Sequence, residues 1–173
     1  PICFWGNVFF ENSSDNTLKY CNFHYAYYMR SVTEDDNGTG AVSFYKSDAE
    51  VEHCVFADNG WTAVNCKQGS SPTFKNLTIL RNQYAVECNT NSKPTIINSI
   101  IWDNENGFYI NGGGKAILSY CLVQGSSLPS GANSSNKVIM GKDPKVDTDF
   151  TLEKNSPCLN AGKDGANIGA ERK

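Results

Sequence analysis

Concentrated positive charge and long apolar runs are both missing from this sequence of 173 residues. Its 15 Lys and Arg residues stand against 18 Asp and Glu residues, the net charge is −3, and the basic residues do not cluster. Nucleic-acid binding depends on concentrated positive charge, and a membrane-spanning helix needs about 18 or more consecutive apolar residues. We therefore expect neither a nucleic-acid partner nor a membrane-spanning segment.

Paired metal-ligand motifs are missing as well. The two histidines, His24 and His53, have no ligand-type spacing, and the 7 cysteines include no Cys-x-x-Cys pair. Zinc sites and catalytic thiols need such partners close by, so we expect neither. The cysteines are either disulfide-bonded or buried as small apolar side chains, and we favour buried free thiols.

A repeat is what the sequence does contain. The segments 51–59, 74–82 and 96–104 superpose without gaps, with apolar residues at the first, fourth and sixth positions. Weaker copies lie at 18–26 and 118–126, and an alternating apolar stretch precedes each copy. The pattern predicts two short strands joined by polar turns in every repeat of about 22 residues.

Repeats of this length build stacked solenoids, in which each unit buries its inner face against the next. A leucine-rich repeat is the alternative, since Phe74–Asn82 fits its consensus. The other half of a leucine-rich repeat is a helical or Leu-rich return, whereas residues 83–93 alternate with period 2. The sequence therefore favours an all-β solenoid of about five coils with parallel strands.

Equivalent residues of stacked coils are expected to lie directly above one another, about 4.8 Å apart. Asn59, Asn82 and Asn104 then form an asparagine ladder in which the amides bond to one another and the turn residues adopt left-handed φ. Cys66 and Cys88 form a second, inward-facing column. Both columns are interpreted as structural.

The C-terminal tail carries the residues of a family resemblance. Asp143-Pro144, Asp149–Leu152, Ser156–Gly162 and Asn167–Ala170 resemble the closing segment of bacterial secreted proteins of the pectin-lyase-like superfamily. The resemblance implies a right-handed parallel β-helix at the cell surface or outside the cell. It also implies that the tail caps the open end of the stack.

One domain accounts for the whole chain. The prediction is β-helix coils over residues 1–126, a long insertion at 30–40, and a C-terminal loop and capping segment over 127–173. The chain has no initiator Met and begins within the pattern. We therefore expect either upstream coils or end-to-end association at that end.

Candidate binding residues are few. Glu34, Asp35 and Asp36 form the densest acidic stretch; calcium there is the one cofactor that we keep as a hypothesis, although a solvated loop is the preferred interpretation. Exposed aromatic rings stack on sugar faces, and the candidates for glycan contact are Trp102, Tyr25, Tyr27, Tyr28 and Trp61.

The resemblance leaves two functions open, since the superfamily includes polysaccharide lyases, hydrolases and non-enzymatic surface proteins. No basic residue for a lyase and no carboxylate pair for a hydrolase can be recognised in this sequence. We expect a non-catalytic extracellular module, either a rigid scaffold or a domain that contacts a polysaccharide or cell-surface glycan. A fragment of a polysaccharide lyase or glycoside hydrolase is the alternative.

Overall fold

The chain folds as a right-handed parallel β-helix, as the repeat and the resemblance predict. The computed structural model describes residues 5–27 and 40–171. These residues form three sheets whose strands all pair in parallel, and one short 3-10 turn at Lys163–Gly165. Within these ranges, no helix is long and apolar enough to cross a membrane.

Strands are numbered in chain order, and each of the first five coils contributes one strand to each sheet. The first sheet contains β1 (Val8–Glu11), β4 (Gly40–Tyr45), β7 (Thr62–Lys67), β10 (Tyr84–Cys88) and β13 (Asn106–Ile110). The second contains β2 (Asn16–Lys19), β5 (Ala49–Glu52), β8 (Thr73–Lys75), β11 (Thr95–Ile97), β14 (Ala116–Ser119) and β16 (Ala132–Ser134). The third contains β3 (Asn22–His24), β6 (Val55–Ala57), β9 (Thr78–Leu80), β12 (Ile100–Trp102), β15 (Cys121–Val123) and β17 (Val138–Met140).

Each coil therefore has three strands, and the prediction of two per repeat is wrong. The segment Phe74–Asn82 is split by a turn at Asn76, whose φ is 51°. The turn redirects the chain so that Leu77 and Ile79 point inward like Phe74 and are fully buried. Five coils are complete, in agreement with the expected number, and β16 and β17 add two strands of a sixth.

The interior is a continuous column of apolar side chains. Phe10 stacks on Phe44 with ring centroids 5.3 Å apart, and Phe23 stacks on Phe56 at 4.7 Å. The same parallel register places Cys66 directly on Cys88. Burying these side chains provides the main driving force for stacking, at about 25 cal/mol for each Å² of apolar surface removed from water.

The chain beyond residue 126 does not leave the stack at once. Leu118 pairs with Ser134 in the second sheet, and Leu122 pairs with Ile139 in the third. The repeat pattern of the sequence fades here because the chain passes from β15 to β16 without forming another strand of the first sheet. Parallel stacking nevertheless continues to Met140.

The C-terminal segment lies along the side of the helix, so the expectation that it caps the end is wrong for the residues that the structure describes. It covers a cluster of outward-facing apolar side chains on the third sheet. This cluster, called the lateral cluster below, contains Val55, Ala57, Leu80, Ile100 and Leu122 of the sheet and Phe150, Cys158 and Ile168 of the segment. The Gly169 amide donates to the Asn98 carbonyl at 2.7 Å, which fixes the segment across the middle coils.

Candidate functional site

Four aromatic side chains lie side by side where the coils enter the first sheet. The ring centroids of Trp61 and Tyr84 are 6.2 Å apart, and those of Tyr84 and Tyr109 are 5.7 Å apart. Tyr27 is next to Trp61, since a Cβ added at Gly60 would overlap the Tyr27 ring. We call Tyr27, Trp61, Tyr84 and Tyr109 the ring row. Three of its members are exposed: Trp61 by 41%, Tyr109 by 45% and Tyr27 by 48%.

The backbone of the first sheet explains why the rings face outward. Ala85 and Val86 are both buried in the core, so strict alternation is broken between them. Tyr84 before the pair and Glu87 after it therefore point to the outer face. Tyr109 lies beside Glu87, because these two residues are partners in the register of β10 and β13.

A hydrogen-bonded carboxylate lies next to the rings. The Nδ2 of Asn89 donates to Oε1 of Glu87 at 2.6 Å, and the Thr62 hydroxyl contacts Oε2 at 3.3 Å. Glu87 points outward, and these two neighbours hold its carboxylate in place. Asn89 is only 7% exposed, and its Oδ1 has no hydrogen-bond partner among the residues described.

A groove of about 370 Å³ adjoins the ring row at Gly60. Its other lining residues are Asn59, Arg81, Asn82, Gln83, Asp103 and Glu105. The Arg81 guanidinium donates to both oxygens of Asp58, at 2.7 and 2.9 Å. Hydrogen bonding to Asp58 raises the pKa of Arg81, and the nearby charge of Asp103 acts in the same direction. Arg81 and Asp103 therefore form part of the wall of this groove.

Two asparagines of the repeat, Asn59 and Asn82, line this groove, and Asn104 continues their row in the next coil. Asn59 donates through Nδ2 to Oδ1 of Asn82 at 2.8 Å, and Asn82 donates in the same way to Asn104 at 2.9 Å. The expectation that these asparagines take left-handed φ is wrong. The residues before them do so: Asp58, Arg81 and Asp103 have φ values of 60°, 54° and 53°.

Two other predicted glycan-contact residues, Trp102 and Tyr25, are not part of the ring row. Trp102 is partly buried and packs against the lateral cluster, so it has the packing partner that the sequence did not reveal. Tyr25 is 53% exposed, with its ring 6.0 Å from that of His24. Tyr28 lies outside the described residues.

The calcium hypothesis falls on Glu34, Asp35 and Asp36, which lie outside the described residues. Among residues 5–27 and 40–171, no group of three or more Asp, Glu, His or Cys side chains is arranged to hold a metal ion. The acidic residues on the second sheet are paired instead. Glu52 forms ion pairs with Lys19 and Lys75, and hydrogen bonding to Lys19 lowers the pKa of Glu52 to about 2.

The cysteines of the described chain are free thiols. Cys66 and Cys88, the predicted column, are fully buried and form no disulfide. Burial raises the pKa of Cys88 to about 11 and raises that of Cys66 well above its usual value. Both side chains therefore stay protonated at neutral pH, which suits packing and opposes nucleophilic chemistry.

Comparison with known proteins identifies a family. The family model described as "Right handed beta helix region" matches residues 3–148. Neither the comparison with curated proteins nor the comparison with solved structures returned a match. The match covers all the described coils of the stack and ends within the segment that follows β17.

The sequence names Tyr27 and Trp61 as candidates for glycan contact, but it does not single out Tyr84, Tyr109 or Asn89. In the register of the first sheet, Tyr84 is equivalent to Thr62, the residue after Trp61. Tyr109 is equivalent to Glu87. The rings thus belong to different columns of the repeat. A search for identical positions cannot find them, whereas a search for aromatic residues in neighbouring positions of successive coils could.

Proposed function

Because the chain belongs to the right-handed β-helix family, we propose that it is a non-catalytic extracellular module that binds a polysaccharide across the ring row. The observation that carries the proposal is the contact series Trp61–Tyr84–Tyr109, with centroids 6.2 and 5.7 Å apart. The rings rise from coil to coil along the helix axis. A linear glycan can therefore lie along them.

The chemistry of the surface supports a sugar ligand. The apolar faces of pyranose rings pack on aromatic side chains, while their hydroxyls need hydrogen-bonding partners. Glu87 and Asn89 provide such partners beside Tyr109, and Gln83 and Glu105 provide them beside Trp61. Glu87 lies in β10, and the other three residues directly flank β10 or β13, so little ordering cost is paid on binding.

Affinity electrophoresis in gels that contain polysaccharides tests the proposal. The wild-type protein is expected to be retarded by at least one polysaccharide from a panel that includes neutral, amino-sugar and uronate polymers. Trp61→Ala and Tyr109→Ala each remove one stacking ring, and we expect each to weaken binding about three- to tenfold.

Tyr20→Ala is the matched control for these variants. Tyr20 is 43% exposed but stacks on His53 in the turn between the second and third sheets, away from the ring row. Its removal is expected to leave retardation unchanged. Equal losses in the Tyr20 and Trp61 variants, or no retardation by any polymer, would contradict the proposal.

The catalytic alternative is tested on the same panel. Product formation would be followed as absorbance of unsaturated sugars for a lyase and as reducing ends for a hydrolase. We expect no turnover. Turnover that is lost in Glu87→Gln, the carboxylate nearest to Tyr109, would show instead that the surface is an active site.

A further inference from the structure

We propose that Cys21 and Cys54 form a disulfide bond when the protein meets a low-molecular-weight disulfide such as oxidised glutathione, and that this bond ties the first coil to the second. In the structure both side chains are free thiols. The modification site lies where the second sheet passes into the third. It does not depend on the proposed function, since neither cysteine belongs to the ring row or lines the groove beside it.

The two cysteines occupy equivalent positions of the first two coils. Cys21 directly precedes β3 and Cys54 directly precedes β6, and these strands pair in parallel from Asn22 and Val55 onward. The Val55 amide donates to the Cys21 carbonyl at 2.9 Å, which fixes this register. Equivalent residues of neighbouring parallel strands lie about 4.8 Å apart, and disulfide-bonded residues have Cα atoms about 4.4–6.8 Å apart. The coil spacing therefore places the two residues within disulfide reach.

The two side chains also face the same space. Cys54 is part of the apolar core, and Cys21 packs against that core. The Cys54 thiol donates to the Glu52 carbonyl at 3.2 Å and lies 3.7 Å from the Leu18 carbonyl of the first coil. The Cys54 sulfur therefore reaches the coil that carries Cys21.

A difference in solvent access sets the order in which the two thiols react. Cys21 is partly exposed, whereas Cys54 is fully buried. Burial raises the pKa of Cys54 to about 11, and interaction with the Cys21 side chain adds to this increase. Cys54 is therefore protonated at neutral pH, and Cys21 is the thiol that meets the oxidant first.

The reaction is a pair of thiol–disulfide exchanges. The Cys21 thiolate attacks one sulfur of the small disulfide, so that a mixed disulfide forms at Cys21 and one small thiolate leaves. The Cys54 sulfur then loses its proton, attacks the Cys21 sulfur and expels the second small thiolate. Each leaving thiolate takes up one of the protons that the two cysteines release. Two protein thiols are thus oxidised to one disulfide, and the small disulfide is reduced to two thiols.

The other register-matched pair of described cysteines lacks such access. Cys66 pairs directly with Cys88 in the first sheet, and both are fully buried in the third and fourth coils. Of the cysteines that the structure describes, Cys21 alone is not buried. An oxidant therefore reaches the first coil and not the middle of the stack.

The bond would close a longer stretch of chain than one ordinary coil. Cys21 and Cys54 are 33 positions apart, whereas Cys54 and Leu77, at the equivalent position of the third coil, are 23 apart. A crosslink stabilises a protein mainly by restricting the unfolded chain, and this effect grows with the length of the closed loop. We therefore expect oxidation to stabilise the fold.

Peptide mapping and thermal unfolding of the native protein test the proposal. The reduced protein is incubated with oxidised glutathione, its remaining thiols are alkylated, and its peptides are analysed by mass spectrometry. We expect a peptide pair linked through Cys21 and Cys54, and a melting temperature about 5–10 °C above that of the reduced protein. Added reductant should reverse both changes.

Cys54→Ser separates the two exchange steps. The equivalent position of the fourth coil is Ser99, whose hydroxyl donates to the Ile97 carbonyl at 2.8 Å, so serine suits this column of the repeat. The variant is expected to stop at the mixed disulfide of Cys21 with one glutathione and to lose the gain in melting temperature. Cys66→Ala is the control and should keep both the link and the gain.

The position of the link decides the result. A bond that joins Cys21 to Cys3, which lies outside the described residues, or one that joins Cys66 to Cys88, would overturn the proposal. Native protein that keeps all its thiols after oxidation would also overturn it. So would a Cys21–Cys54 bond whose formation leaves the melting temperature unchanged or lowers it.

Discussion

Three asparagine side chains connect successive turns of the helix by hydrogen bonds. Asn82 is the central one and is 2% exposed. It accepts from Asn59, donates to Asn104 and also donates to the Leu80 and Phe56 carbonyls at 3.0 Å. An amide is suited to this position because it offers a donor and an acceptor at once, so a row of any length can satisfy its own members.

We predict that Asn82→Ala lowers the free energy of unfolding by about 2–4 kcal/mol, because it leaves buried groups on both neighbouring turns without partners. Urea unfolding monitored by circular dichroism measures the change. Asn133→Ala alters an exposed asparagine in β16 and should cost about 0.5 kcal/mol or less. Similar losses in the two variants would mean that the row contributes nothing specific.

Sequence reasoning located this row but misassigned its backbone. The spacing of Asn59, Asn82 and Asn104 reveals the stacking, because identical side chains at a fixed interval serve the same contact in each coil. The left-handed residue is the preceding one, and its identity differs between coils: Asp58 and Arg81 both adopt it. The turn geometry is imposed by the closure of the coil and by the asparagine amides, so the local preference of the residue does not determine it.

At the scale of single strands, the sequence pattern predicts two strands per coil, whereas the structure has three. Phe74 and Leu77 both point inward although they are three positions apart, which a continuous strand with period 2 does not allow. The three-residue interval was therefore the signal of a turn. This signal is hard to recognise in the sequence, because Asn76 and its counterparts are not glycine and a bend at a non-glycine residue is uncommon.

The turn between β13 and β14 depends on a glycine at one position. Gly114 donates its amide to the Asn111 carbonyl at 2.8 Å. A Cβ added at Gly114 would overlap the Cys88 carbonyl, whose carbon would be only 2.8 Å away. The preceding coil would have to move, since the obstructing atoms belong to its backbone.

We predict that Gly114→Ala destabilises the protein by about 1–3 kcal/mol through this overlap. Gly6→Ala is the control, since no atom lies within 4 Å of a Cβ at Gly6, and it should change stability by about 0.5 kcal/mol or less. Thermal unfolding of the two variants gives the comparison. An unchanged melting temperature in Gly114→Ala would show that the coil spacing adjusts freely.

The candidate site arises only when elements are assembled. Trp61 and Tyr84 are in successive coils but in different columns, and their rings meet because the coil rise is short. Asn89 follows β10 and turns back to Glu87. The sequence predicted exposed aromatics as a class of residues, and it predicted Trp61 and Tyr27 by name. The sequence does not show that Trp102 is less exposed than these two residues, because the C-terminal segment that forms part of the lateral cluster is distant in the chain.

At the scale of the whole molecule, the third sheet is buried on both faces. Its inner face joins the core, and its outer face carries the lateral cluster under the C-terminal segment. The apolar outward positions Leu80, Ile100 and Leu122 indicate in the sequence that something covers them, since a solvated strand face would be polar. The covering segment thus ties together coils that are otherwise connected only to their neighbours.

We predict that Ile168→Ala costs about 2–4 kcal/mol, because the side chain is 1% exposed and fills the lateral cluster. Urea unfolding gives the loss, and hydrogen exchange at the Gly169 amide, which donates to the Asn98 carbonyl, should accelerate more than exchange in the first sheet.

Ile117→Ala is the matched control for this last change, since Ile117 is only partly buried on the outer face of β14 and should cost about 1 kcal/mol or less. A segment that merely rested on the sheet would give equal, small losses in both variants. If the segment instead closed the end of the stack, Ile168→Ala would change hydrogen exchange in β16 and β17 and not at the Gly169 amide. Only lateral packing predicts both a large loss of stability in Ile168→Ala and faster hydrogen exchange concentrated beside Asn98.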